Sequence, residues 1–153
     1  MVEVIFIGTG PSIPPPGRGN TAFVVRSAYS TFLVECGPTL LSGAQTLGVE
    51  LPMIPHLFIS HAHGDHMLGF PMLVLARMVT SKTMRIPRLN VFCPDSMVDI
   101  LHRVSLDVFP EVEPALEAIQ WHPLPEQETS TLELEPDMQL TVMPMNGPPG
   151  RPR

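Results

Sequence analysis

The sequence is short of cysteine and of positive charge. It has two cysteines, Cys36 and Cys93, with no short metal-type spacing between them. A cysteine-built metal site is therefore not expected, and two reduced, partly buried thiols are. Nine Lys and Arg stand against fifteen Asp and Glu, for a net charge of -6, which excludes a global attraction to phosphate backbones. No apolar run approaches the roughly 20 residues of a membrane span. The opening stretch Met1–Ile7 has no basic region ahead of its short apolar run, and Gly8 ends that run early. It reads as a strand, not a signal peptide. A soluble cytoplasmic protein with no membrane partner is expected. What is abundant is proline, 19 in 153 residues, expected in loops and at element ends, where a fixed φ and a missing donor do least harm. With 44% hydrophobic and 16% charged residues, the chain can bury a core, and its length suits one domain.

Strand and helix patterns alternate. Val2 to Ile7 reads as a buried strand, followed by a Pro/Gly loop from Ser12 to Asn20. Thr21–Arg26 and Thr31–Cys36 read as two strands of a hairpin turning at Ser27–Ser30. Gly37-Pro38 opens a helix carrying Leu40, Leu41, Ala44 and Leu47 at helical spacing, with Gly48 at its C-terminal cap. His56–Ser60 is a short strand. Met67–Val79 is helix-compatible, with Pro71 in its first turn. Arg88–Cys93 is a strand. A helix capped by Asp95 or Ser96 runs to about Val108. Ile119–Leu124, Thr131–Leu134 and Gln139–Met145 are further strands. The alternation predicts an α/β layered architecture over residues 1–145, with a Pro/Gly-rich tail over 146–153. The ten methionines are expected to be mostly core filler.

The chemistry is concentrated in His61-Ala62-His63-Gly64-Asp65-His66, directly after the His56–Ser60 strand. Imidazole nitrogens and a carboxylate suit zinc and similar transition metals, and ligands collect at the carboxyl ends of strands in α/β sheets. Ligands two residues apart cannot share a helix face, so a tight turn must gather them, and Gly64 is expected to permit it. The alternative, a chance cluster on an exposed loop, is poor because loops are seldom this rich in ligands. His56 is expected at a strand edge, His102 exposed on a helix and His122 as a strand histidine, none of them a ligand. Gly8-Thr9-Gly10 lacks the Lys and helix of a phosphate loop.

These six residues match the HxHxDH signature of the metallo-β-lactamase superfamily. Phe6-Ile7-Gly8-Thr9-Gly10, the Pro-rich loop, Gly19-Asn20-Thr21, Phe32 to Pro38 and Phe58-Ile59-Ser60 resemble the landmarks of its ribonuclease Z and arylsulfatase-like branch, most strongly from Val2 to Leu75. The resemblance implies an αβ/βα sandwich, of which this chain covers the N-terminal half and the start of the second. It implies a hydrolase that uses a metal-bound hydroxide on a phosphodiester or sulfate ester. His61 and His63 would bind one metal, and Asp65 and His66 the other, with Asp65 also catalytic. Zinc is the expected ion, with manganese or iron as alternatives. Glu35 stands where the branch usually has Asp and would support the site from behind. The third His, bridging Asp and last His of the pattern are not found, Asn146 following the strand that would deliver the third His. Of the basic substrate loop only Arg18 is present. The substrate is expected to be a small-molecule or nucleic-acid ester, and self-association of the chain is expected. A hydrolase of another ester or lactone, or a non-catalytic copy that turns nothing over, are the competing expectations.

Overall fold

The structure is a computed structural model that describes residues 1–136 and 138–144. Six strands form one sheet in sequence order: β1 (Glu3–Gly8), β2 (Ala22–Arg26), β3 (Thr31–Val34), β4 (His56–Phe58), β5 (Asn90–Pro94) and β6 (Gln120–Leu124). The first three are antiparallel and the rest join in parallel from β3 onward. Parallel neighbours need crossovers, supplied by α1 (Leu40–Leu47), α2 (Gly64–Met67), α3 (Phe70–Ser81), α4 (Val98–Val108) and α5 (Glu113–Glu117). Val24, Leu33, Leu57 and Val91 point to the helical side and join Leu40, Phe70, Leu73 and Leu101 in the main core. Phe32, Phe92 and Leu124 point to the other side. There the hairpin of β7 (Ser130–Glu135) and β8 (Met138–Val142) lays Leu132, Leu134, Met138, Leu140 and Val142 over them. The architecture is α/β, with one helix-covered sheet and a hairpin that opens a second layer on its other face.

Several expectations need correction. β1 is an edge strand and only half buried, because the β7–β8 hairpin does not reach it: Val4 is 48% and Phe6 62% exposed. The Met67–Val79 helix is two helices broken at Leu68-Gly69. The break lets Gly69 press against the end of β3. Its N–H donates to Cys36 O at 2.8 Å, and a Cβ at Gly69 would lie 2.3 Å from Gly37 O. The α1 helix starts after Gly37-Pro38, at Leu40, and Gly48 caps it with left-handed geometry. Asp95 lies in a turn of 3₁₀-helix, and neither it nor Ser96 gives α4 a side-chain cap. The short α5 was not anticipated. Only Met67 and Met97 are buried among the described methionines, while Met1, Met53, Met72, Met84 and Met143 are exposed. Both cysteines are free and buried as expected, and burial raises both thiols, Cys93 to about 12 with some help from Asp95. Pro123 stands in β6, at the sheet edge where a missing donor is tolerated. Met145 and the tail 146–153 lie outside the described residues. No described helix is long and apolar enough to cross a membrane.

Candidate metal centre

The motif occupies the carboxyl end of β4. Strand β4 stops at Phe58, and Ile59 N–H donates to Phe92 O at 3.0 Å, so the chain stays on the sheet until Ser60. It then turns outward, and α2 begins at Gly64. Gly64 does not supply a left-handed residue, since the positive-φ glycines among the described residues are Gly17 and Gly48. A Cβ there would meet only the Leu68 side chain, with Cδ1 at 2.8 Å, and that exposed side chain can swing aside, so neither backbone angle nor space demands glycine here. Beneath the turn the end of β3 locks the loop in place. Cys36 N–H donates to His66 O at 2.7 Å, and a Cβ on Gly37 would lie 2.1 Å from Asp65 O.

The four side chains converge in two pairs. His61 Nε2 and His63 Nδ1 stand 3.0 Å apart. His66 Nε2 and Asp65 Oδ2 stand 3.3 Å apart. The His61 ring joins the pairs, with centroids 4.6 Å from His63 and 4.2 Å from His66. Two donors each about 2.0–2.1 Å from a tetrahedral ion are separated by about 3.3 Å, so both pairs fit a shared divalent cation. Two donors are fewer than a closed site needs, and among the described residues no group of three metal-type donors converges.

Outer contacts orient the rings. Ser60 Oγ lies 2.8 Å from His61 Nδ1, leaving Nε2 to face His63. Glu35, buried and at φ 67°, accepts Ser60 N–H at 3.3 Å with Oε2. The same oxygen is 3.2 Å from His66 Nδ1. That approach is off-axis for a hydrogen bond, and Nδ1 is buried without a hydrogen-bond partner, so the contact is electrostatic. Metal-ligating histidines donate their second ring N–H to such a carboxylate; here the carboxylate stands within reach of Nδ1 but the hydrogen bond is not made. Ser12 Oγ donates to Asp65 Oδ2 at 2.9 Å. Burial raises the Asp65 carboxyl, but the Ser12 bond, a backbone N–H and the charges of His66 and His63 outweigh it and hold it below its ordinary value. Burial, then His66 and His63, depress the His61 ring against the opposing pull of Glu35 and Asp65. A neutral ring offers its lone pair to a metal.

The structure therefore gathers His61, His63, Asp65 and His66, and puts Glu35 behind them. His56 is not at a strand edge. It is buried in the middle of the sheet between Phe32 and Phe92, because β4 has a neighbour on each side. His122 is the expected strand histidine, stacked on Phe92 at 4.4 Å with Nε2 3.0 Å from Asn90 Oδ1. His102 is half-buried on α4, not exposed. Ser12 is the residue the sequence did not mark, and Asn20 stood there only as a landmark of the resemblance, with no contact assigned to it.

A protein-family model described as anti-Pycsar protein Apyc1 matches residues 2–146. Ribonuclease Z of Picrophilus torridus is 36% identical over 102 residues, 67% of this chain and 32% of its own length. Ribonuclease Z of Mycolicibacterium gilvum is 31% identical over 104 residues, 68% of this chain and 36% of its own. The chain thus spans about a third of the length of these curated relatives. Among solved structures, the short form of human tRNase Z superposes with a TM-score of 0.63 at 26% identity, covering 79% of this chain and 42% of that one. The metallo-β-lactamase fold protein YhfI of Bacillus subtilis gives 0.64 at 16% identity, covering 93% and 56%, and speaks for the fold alone.

Proposed function

The chain belongs to the anti-Pycsar protein Apyc1 family, hydrolases of the metallo-β-lactamase fold allied to ribonuclease Z, and on that footing we propose that it cleaves phosphodiester bonds with divalent metal ions. The observation that supports this most is the pairing of donors at ion-sharing distance, His61 with His63 and Asp65 with His66. Those residues would hold the ions. Zinc suits imidazole and carboxylate donors, and manganese or iron are the alternatives. When bound, such ions supply an activated water near neutral pH and compensate charge on phosphoryl oxygens.

The chain's own groups do the rest. Asp65 is the proposed catalytic residue, beside the imidazoles, where its carboxylate can orient an attacking water or take its proton. Glu35 holds His66 from behind and Ser60 turns His61. Arg18, exposed on the β1–β2 loop, is the one basic group of that loop available to a substrate phosphate. The substrate is a small-molecule or nucleic-acid phosphodiester, with a sulfate ester as second choice, and the setting is cytoplasmic.

The test is a panel of chromogenic substrates offered to the metal-loaded chain: phosphodiester, sulfate ester, lactone and β-lactam. Turnover of the phosphodiester above the others is expected. Preference for a lactone or β-lactam would defeat the reading. A second reading, a copy that binds metal weakly and turns nothing over, is favoured because no third donor converges on either pair among the described residues. It predicts no turnover of any substrate at saturating zinc.

A further inference from the structure

The loop between β1 and β2 reaches the motif through one hydroxyl. Ser12 Oγ donates to Asp65 Oδ2 at 2.9 Å, across 53 residues of sequence. That oxygen is the one facing His66 Nε2 at 3.3 Å. A serine on an exposed Pro/Gly loop is ordinarily a solvated hydroxyl on a mobile segment. Here the segment is fastened. Asn20 is 4% exposed, and its Nδ2 donates to Pro11 O at 3.1 Å and Ser12 O at 3.3 Å. Its Oδ1 accepts the Thr39 hydroxyl at 3.2 Å, and its N–H donates to Thr39 Oγ1 at 2.8 Å. The base of the loop is closed by Gly10 N–H to Gly19 O at 2.7 Å and Thr21 N–H to Gly10 O at 3.1 Å. A continuous run of hydrogen bonds thus leads from Thr39, at the start of α1, to the backbone of Ser12, and from its side chain to Asp65.

We propose that Ser12 is a positioning residue for Asp65: its hydroxyl selects the carboxylate oxygen that stands with His66 Nε2, so that the two donors face one divalent cation together. The proposal rests on the reading of Asp65 and His66 as metal ligands. The physical reason is rotational. The terminal torsion of an aspartate is broad and two-fold, so an unrestrained carboxylate samples orientations in which neither oxygen meets its partner donor. A hydrogen bond to one oxygen from a fastened loop narrows that spread before the ion arrives. The ordering cost then falls on folding and not on binding.

The experiment is a cobalt(II) titration of the full chain, followed by visible absorption of the bound ion, for the wild type, Ser12→Ala and Ser12→Thr, with thermal unfolding in parallel. Ser12→Ala is expected to weaken cobalt binding about tenfold or more with an unchanged unfolding midpoint, because Ser12 is exposed. Ser12→Thr keeps the hydroxyl and is expected to bind like the wild type. Equal binding by Ser12→Ala and wild type, or Ser12→Thr as weak as Ser12→Ala, would overturn the positioning role while leaving the ligand reading standing. A fall in affinity matched by a fall in midpoint would overturn it in favour of plain loop packing. A wild type that takes up no cobalt would sink the ligand reading and this proposal together.

Discussion

Glu35 Oε2 lies 3.2 Å from His66 Nδ1 while the Glu35 backbone sits at φ 67°, a left-handed conformation unusual for a residue with a side chain. The carboxylate is thereby delivered behind the imidazole at the backbone's expense. Glu35→Gln keeps the shape and removes the charge. It is expected to lower divalent-metal affinity by about tenfold or more, read by competition with a chromophoric chelator. Unchanged affinity would mean that Glu35 serves only the turn.

Asp65→Ala is expected to abolish phosphodiester turnover while leaving the fold intact. The residue lies in the first turn of α2 and is not part of either apolar cluster. Steady-state rates and a thermal midpoint, measured on the same sample, separate the two effects. Activity equal to wild type would remove Asp65 from the mechanism.

Arg77 is the structural counterpart of these site residues. It is 6% exposed and donates to Pro52 O at 2.7 Å, Ile54 O at 2.9 Å and Pro87 O. Burial lowers its guanidinium to about 10, which still leaves it charged at neutral pH. Arg77→Met would strand three loop carbonyls and is expected to cost about 3 kcal/mol or more, measured by urea unfolding. A change under about 1 kcal/mol would show that water takes over those carbonyls.

His122 gives stability a pH dependence. Burial, and then Arg88, lower its pKa from 6.5 in the folded chain. The unfolded chain therefore binds the proton more readily. The stabilisation is complete above the unfolded pKa and is lost as pH falls through the folded value. Between about pH 7 and about pH 5 the wild type should lose stability more steeply than His122→Gln. Parallel slopes for the two would acquit His122.

The apolar side of β1 predicts solution behaviour. Val4 and Phe6 are 48% and 62% exposed, the Phe6 ring tilted against Phe23 at 5.8 Å, on an edge strand with one neighbour. Such an edge invites association. The chain is expected to bind a hydrophobic dye and to self-associate, and Phe6→Thr to reduce both. Light scattering that reports a monomer with no dye signal would contradict this.

What the sequence disclosed was whatever is local. The motif histidines and Asp65 lie within six consecutive positions, so composition alone marks them, and strand periodicity located β2 to β6 to within a few residues. Ser12 was opaque because its partner is brought to it only by the sheet. The break between α2 and α3 was hidden because apolar periodicity runs through Leu68-Gly69 and the cause is a backbone on another element. Helix α5 was missed because five residues with a proline give little periodicity. His56 misled because a residue beginning a strand in sequence can still stand mid-sheet in space.

Gly37 and Gly69 hold the motif turn against the chain that follows β3. Main chain meets main chain there: Gly69 N–H donates to Cys36 O at 2.8 Å and Cys36 N–H to His66 O at 2.7 Å, with no side chain between to absorb a shift. Soft packing elsewhere can therefore drift without dragging the imidazoles along. Leu73→Val, deep in the helical core, should cost stability yet leave metal affinity untouched. Gly69→Ala, adding one methyl group at the surface of contact, should do the reverse of what its size suggests and displace the whole motif turn as a block.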